Sequence, residues 1–152
     1  MICEYKTLII DTYGVIFKEK ECRNNDAESL TMDEDFLDVA NKTKGKYEIV
    51  LLSNDDSEQS NNITAHYGID KYFSNKIISS EVNCKKPDLK IFDVTLERIG
   101  RKPSECIFVD WDIKNLLAAE EVGISTVLFN RNNENFDGMT VYSFKELFDI
   151  IG

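Results

Sequence analysis

Residues 106–129 read CIFVDWDIKNLLAAEEVGISTVLF, and this stretch decides the fold. Cys106-Ile107-Phe108-Val109 is a short apolar run that ends at Asp110, the pattern of a strand buried on both faces. Ile113 to Val122 has helical spacing and stops at Gly123, and Ser125 to Phe129 is a second buried strand. Near-continuous apolar strands separated by helices predict a parallel sheet covered on both sides.

The same alternation runs outward in both directions. Thr7 to Ile10 reads as a strand ending at Asp11, Tyr47 to Leu52 as one ending at Ser53-Asn54, and Lys76 to Ser79 and Thr140 to Tyr142 as shorter ones. A helix is expected over Met32 to Lys44, opened by the capping box Thr31-x-x-Glu34, with Phe36, Leu37 and Ala40 on one face. A polar helix follows over Ser57 to Tyr67, stopped by Gly68. Another places Pro87 in its first turn, turns Ile91, Phe92 and Ile99 inward and closes at Gly100. The last starts at Phe144 behind a second capping box, Ser143-x-x-Glu146. The expected fold class is α/β, a three-layer α/β/α arrangement around a mostly parallel sheet. It forms a single domain over residues 1–152, with 17–31 as a short flap or disordered loop.

Composition narrows the function. With 152 residues, 42% hydrophobic and 30% charged, the chain can bury one core and is neither disordered nor membrane-spanning in pattern. Its 28 acidic and 18 basic side chains give a formal charge of −10, which disfavours nucleic acid as a partner. A local cationic pocket for a small phosphorylated ligand is compatible with that surface. The Met1 start and the lack of an apolar leader predict a cytoplasmic location and no membrane association. Cys3, Cys22, Cys84 and Cys106 form no C-x-x-C pair and read as free thiols, and the single His66 lies on a polar, exposed helix.

In an open parallel sheet ligands bind outside the carboxyl ends of the strands, where Asp11, Ser53-Asn54 and Asp110 all fall. Each has an ordinary alternative. Asp11 could be a nucleophile, a metal ligand or a cap; Ser53 could cap the next helix; Lys86, before Pro87-Asp88, could be solvated. Asp55 and Asp56 read as helix N-terminal charges more readily than as catalytic acids.

Taken in order, LIIDTYGV, IVLLSN, KKPDLKIF and CIFVDWDIKN resemble the four motifs of the haloacid dehalogenase-like superfamily. The likeness covers about residues 5–130 and is closest from Lys86 to Gly123. It implies a Rossmann-like core without a substantial cap and a hydrolase, most readily a phosphatase. By that resemblance Asp11 is the covalent nucleophile, Ser53 and Lys86 bind the phosphoryl group, and Tyr13 and Asn54 contact substrate. It also implies Mg2+ held by Asp11, the Tyr13 backbone carbonyl and Asp110 or Asp112. The implied partner is a small phosphorylated molecule or a phosphoprotein; the sequence leaves the oligomeric state open.

Two departures leave alternatives standing. Tyr13 replaces the Asp that serves the family's phosphatases as general acid and base, a role typically worth ~10²–10⁴-fold. Trp111 stands where a second Asp commonly touches the metal, and reads as a packing residue. A catalytically degenerate binding protein is therefore one alternative. Asp-x-Tyr-Gly also resembles the motif of the true 2-haloacid dehalogenases, whose Asp attacks carbon without metal. That is the other.

Overall fold

The computed structural model describes residues 5–151. Six parallel strands build the centre: β1 (Thr7–Ile10), β2 (Glu48–Ser53), β3 (Phe73–Ile78), β4 (Cys106–Asp110), β5 (Ser125–Phe129) and β6 (Thr140–Val141). Their order is β3-β2-β1-β4-β5-β6, so the chain starts in the middle, winds to one edge and returns to wind to the other. β1, β2, β4 and β5 are almost wholly buried, which is why their sequences are near-continuous apolar runs.

Helices cover both faces: α1 (Glu34–Thr43), α2 (Ser57–His66), the single turn α3 (Ser79–Val82), α4 (Leu89–Ile99), α5 (Ile113–Glu121) and α6 (Phe144–Ile151). Strand side chains alternate between two cores. Leu8, Ile10, Ile49 and Leu51 pack with Phe36 of α1 and Phe144 of α6 on one side. Ile9, Val50, Leu52 and Phe108 pack with Phe92 of α4 and Leu116 of α5 on the other. Each such side chain contributes about 1.5–3 kcal/mol by leaving water.

The α/β/α class and the parallel sheet are as expected, and local details differ. α1 is capped by Asp33, whose side chain accepts from the Asp35 amide, not by Thr31. Thr31 is taken by Glu19, whose carboxylate accepts from its amide at 2.6 Å and its hydroxyl at 2.8 Å. β3 begins at Phe73, three residues early. It is an edge strand with only Ile77 and Ile78 fully buried, so its polar first half carried no strand signal. Pro87 lies before the N-cap Asp88 and outside the first turn of α4. At α6, Ser143 Oγ accepts from the Glu146 amide, while the Glu146 carboxylate reaches the amide of Tyr142 rather than that of Ser143.

Residues 17–31 form a short irregular segment with two 3-10 turns, tied to the core at several points. Phe17 is fully buried and bridges to Met32. The Tyr67 hydroxyl donates to the carbonyls of Ala27 and Leu30 at 2.6 and 2.8 Å. Cys22, Cys84 and Cys106 are free thiols, while Cys3 lies outside the described residues. His66 is exposed. Among the described residues no helix is long and apolar enough to cross a membrane.

Candidate active site

β1, β2 and β4 end side by side, and they bring Asp11, Ser53 and Asp110 to one edge of the sheet. Lys86 reaches in from the loop before α4. Its ammonium donates to Asp11 Oδ1 at 2.9 Å, Asp110 Oδ2 at 3.0 Å and the Leu52 carbonyl at 2.9 Å. All three charged groups are buried, with 6%, 3% and 0% exposure at Asp11, Lys86 and Asp110, so Lys86 is not a solvated lysine. Asn54 fixes it from behind: its side-chain amide donates to the Lys86 carbonyl at 3.0 Å and accepts from the Lys86 N–H at 2.8 Å.

Two buried carboxylates share one buried ammonium, and the charges are unequal. Burial, reinforced by the neighbouring Asp110 carboxylate and opposed by Lys86, lifts the Asp11 pKa to about 7. Burial pushes Lys86 down, but the two carboxylates outweigh it and hold the ammonium above its ordinary value. Lys86 is thus a fixed positive charge, and Asp11 is a carboxylate whose ionisation falls near neutrality.

Asp110 is a supporting group. Its Oδ1 accepts from the Asp112 amide at 2.9 Å, and its Oδ2 accepts from Lys86 and from the Asn115 side chain at 3.0 Å. Asp112 caps α5 by accepting from the Lys114 amide. Ser53 does not cap α2; Asp56 does, accepting from the Gln59 amide. Ser53 Oγ and the neighbouring Thr12 Oγ1 are both buried without a hydrogen-bond partner. A buried hydroxyl left unpaired costs free energy, which marks these two as candidates for a further hydrogen bond.

Above this floor lies a cavity of about 120 Å³, with Asp11, Lys86 and Asn115 at its base. Tyr13, Asn54, Lys20, Trp111 and Asp112 form its walls. A larger cavity of about 510 Å³, lined by Tyr5, Tyr47 and Arg101 among others, lies at the amino ends of β1 and β2. Ligand chemistry in this topology belongs to the carboxyl ends, and the polar groups converge there.

Tyr13 faces an arrangement that its sequence position did not reveal. Its hydroxyl donates to Asp55 Oδ2 at 2.6 Å, and the Gln59 amide donates to both Tyr13 Oη at 3.0 Å and Asp55 Oδ1 at 2.7 Å. Burial raises the pKa of both Tyr13 and Asp55. Asp56 therefore plays the helix-end role, while Asp55 is spent on the phenol. Trp111 packs closely against Gly14, where an added Cβ would fall 2.3 Å from Trp111 Cδ1. Gly14 also has φ +82°, so no other residue fits there without strain. Lys20 places its ammonium 4.1 Å above the centre of the Trp111 ring. Sequence reasoning missed Lys20 and Gln59, since neither belongs to a motif.

The donors fit magnesium in a reduced form. Among the described residues no group of three His, Cys, Asp or Glu side chains could hold a metal, and Asp110 does not line the cavity. Asp11 and Asp112 do line it, together with Tyr13. Magnesium characteristically takes one or two carboxylates plus substrate oxygens and waters, so the donor types suit it although they form no preformed cluster.

The sheet order and the Asp–Lys–Asp floor at its carboxyl edge together define an open α/β core with a charged cluster where ligands bind. The chain belongs to the haloacid dehalogenase-like hydrolases, whose family profile matches residues 4–123. It is 31% identical over 90 residues to glyceraldehyde 3-phosphate phosphatase of Methanothermobacter thermautotrophicus, covering 59% of this chain and 39% of that one. The chain thus aligns with about two fifths of that relative's length. The fold matches a HAD phosphatase from Thermococcus onnurineus with a TM-score of 0.84 at 18% identity, over 97% of this chain and 98% of the other. It also matches a HAD family enzyme from Bacteroides thetaiotaomicron, solved with magnesium and inorganic phosphate. There the TM-score is 0.71 at 20% identity, over 88% of this chain and 97% of that one.

Proposed function

We propose that this chain is a phosphatase-type hydrolase of small phosphorylated molecules in which Asp11 is the covalent nucleophile. The observation that carries the reading is the buried Lys86 ammonium, 2.9 Å from Asp11 and 3.0 Å from Asp110 at the base of an open cavity. The phosphatase relative supports the same class of substrate.

Asp11 Oδ1 is held by Lys86, which leaves its other oxygen to attack phosphorus and form an aspartyl-phosphate as the ester oxygen leaves. Lys86 neutralises charge on the nucleophile and the transferring group, and Ser53 and Thr12 supply the unpaired hydroxyls that donate to phosphoryl oxygens. Asn54 acts mainly by positioning Lys86. Asp11, Asp112 and the Tyr13 carbonyl are the residues that would hold magnesium. When bound, that ion supplies neutralising charge to the phosphoryl oxygens.

Tyr13 sets the pace. Its proton is committed to Asp55, and its raised pKa keeps it protonated at neutral pH, so it neither takes up a proton nor readily gives one up. Leaving-group protonation and water activation therefore fall to solvent, and breakdown of the aspartyl-phosphate is slow. That same hydrogen bond favours the second reading, a degenerate protein that binds a phosphorylated ligand without turning it over. Phosphate release from glyceraldehyde 3-phosphate and p-nitrophenyl phosphate, with magnesium, separates the two. The phosphatase reading expects slow release that Asp11→Asn reduces by at least ~100-fold. Release unchanged in that variant would overturn it, and no release from the unaltered chain would leave the binding reading.

A further inference from the structure

We propose that Lys20, carried over the site by the 17–31 segment and parked on Trp111, is the anion-receiving residue of this cavity, able to bind a phosphate-like oxyanion without a metal. The proposal rests on the reading of the cavity as a phosphoryl site and deepens it.

The first argument is charge. Two cations line the cavity, Lys86 and Lys20. Lys86 is already divided between Asp11 and Asp110. Lys20 forms no ion pair among the described residues; its ammonium rests on an aromatic face. Of the acids on the same wall, Asp112 is partly answered by the α5 N-terminus it caps. An entering oxyanion therefore finds its uncommitted positive charge in Lys20.

Placement is the second. The segment that carries Lys20 is tied at its base: the Gly14 amide donates to the Glu19 carbonyl at 2.7 Å, and the Glu19 carboxylate holds both Thr31 donors. Lys20 follows immediately, so its backbone is anchored while its side chain is exposed and, among the described residues, held only by the Trp111 ring. Trp111 is anchored too, packed against Gly14, whose carbonyl accepts from Arg131 Nε at 3.1 Å. The ring thus presents an exposed ammonium at the rim of the cavity.

The third argument is relative strength. A cation–π contact at a partly exposed ring is weaker than a charge-assisted hydrogen bond to an oxyanion, so a ligand takes the ammonium off the ring. The cavity is well below the ~300–1,000 Å³ of pockets that enclose whole small molecules, so one phosphoryl-sized end of the ligand enters and the rest stays outside. Lys20 stands at that boundary. Trp111 occupies the place of a family carboxylate, and by holding an ammonium it lets the chain supply a positive charge of its own.

The only tryptophan in the chain is Trp111, so intrinsic fluorescence reports directly on Lys20 leaving the ring. Sodium tungstate, a phosphate-like oxyanion, is titrated into the protein in the presence of a chelator and again with magnesium. Affinity is read by calorimetry and ring contact by emission. The expected result is tungstate binding with chelator present and a change in emission. Lys20→Met should bind at least ~10-fold more weakly and lose the emission change, and Lys20→Arg should restore binding. Lys18→Met, on the same segment but off the cavity, should behave as the unaltered chain. Equal binding by Lys20→Met, or binding by the unaltered chain only when magnesium is present, overturns the role of Lys20 and leaves the phosphatase reading standing. No binding under either condition overturns both.

Discussion

The floor and the rim of this site are built by opposite means. The floor is made of strand ends: Asp11, Ser53 and Asp110 are buried and backed by two hydrophobic cores, with both carboxylates held by Lys86 and Asp110 held by Asn115 as well. The rim is looser: Lys20 rests on the Trp111 ring by one cation–π contact, and the Tyr13–Asp55–Gln59 cluster is joined by three hydrogen bonds between residues of different loops and α2. On the proposed reading the floor supplies the chemistry, and the rim governs its rate and its ligand. A buried charge network tolerates no missing member, whereas a surface cation–π contact can be broken and remade.

That contrast ranks the consequences of mutation. Lys86→Met leaves two buried carboxylates facing each other. It should destabilise the protein by about 3–5 kcal/mol at pH 8, read by urea denaturation, and by less at pH 5, where Asp11 is protonated. A loss under about 1 kcal/mol would mean that water already reaches this network.

Asp55→Asn should cost about 1–2 kcal/mol, because an amide still accepts from Tyr13 but more weakly. It also removes the charged acceptor that holds the phenol proton, so phosphate release should change while affinity for tungstate does not. A shift in affinity with no change in release would place Asp55 in ligand binding instead.

Most diagnostic is a pH effect on Asp11→Asn in chelator. The folded-state pKa of Asp11, about 7, lies above its ordinary value of 3.8. Between those limits the folded chain binds more protons than the unfolded one. The stability that Asp11 contributes is therefore complete below pH ~4 and is lost as pH rises through ~7. The variant lacks this slope, so its melting temperature relative to the unaltered chain should rise from pH 5 to pH 8. A difference independent of pH would show that Asp11 ionises normally.

The floor was legible in the sequence because burial on both faces forces apolar runs, and a polar residue that ends such a run is conspicuous. Asp11, Ser53 and Asp110 each announce themselves in that way, and a lysine before a helix completes the motif. The rim was not legible because its contacts join distant loops. Nothing in the local sequence of Asp55 distinguishes it from Asp56, yet one meets Tyr13, 42 positions away, and the other caps α2. Lys20 sits in a polar stretch that reads as a loose loop, since Glu19–Thr31 and Tyr67–Leu30 pairing leave no periodic trace. The misplaced caps have the same origin: Thr31 was free to cap α1 until Glu19 claimed it.

The central claim is that Asp11 forms a covalent bond to the phosphoryl group, and the slow second step attributed to Tyr13 makes that bond catchable. Protein turning over glyceraldehyde 3-phosphate with magnesium is quenched in acid, reduced with borohydride, digested and mapped by mass spectrometry. The account predicts reduction of a single side chain, Asp11, lost in Asp11→Asn. Phosphate release without any label at Asp11, or with the label on another residue, would contradict it.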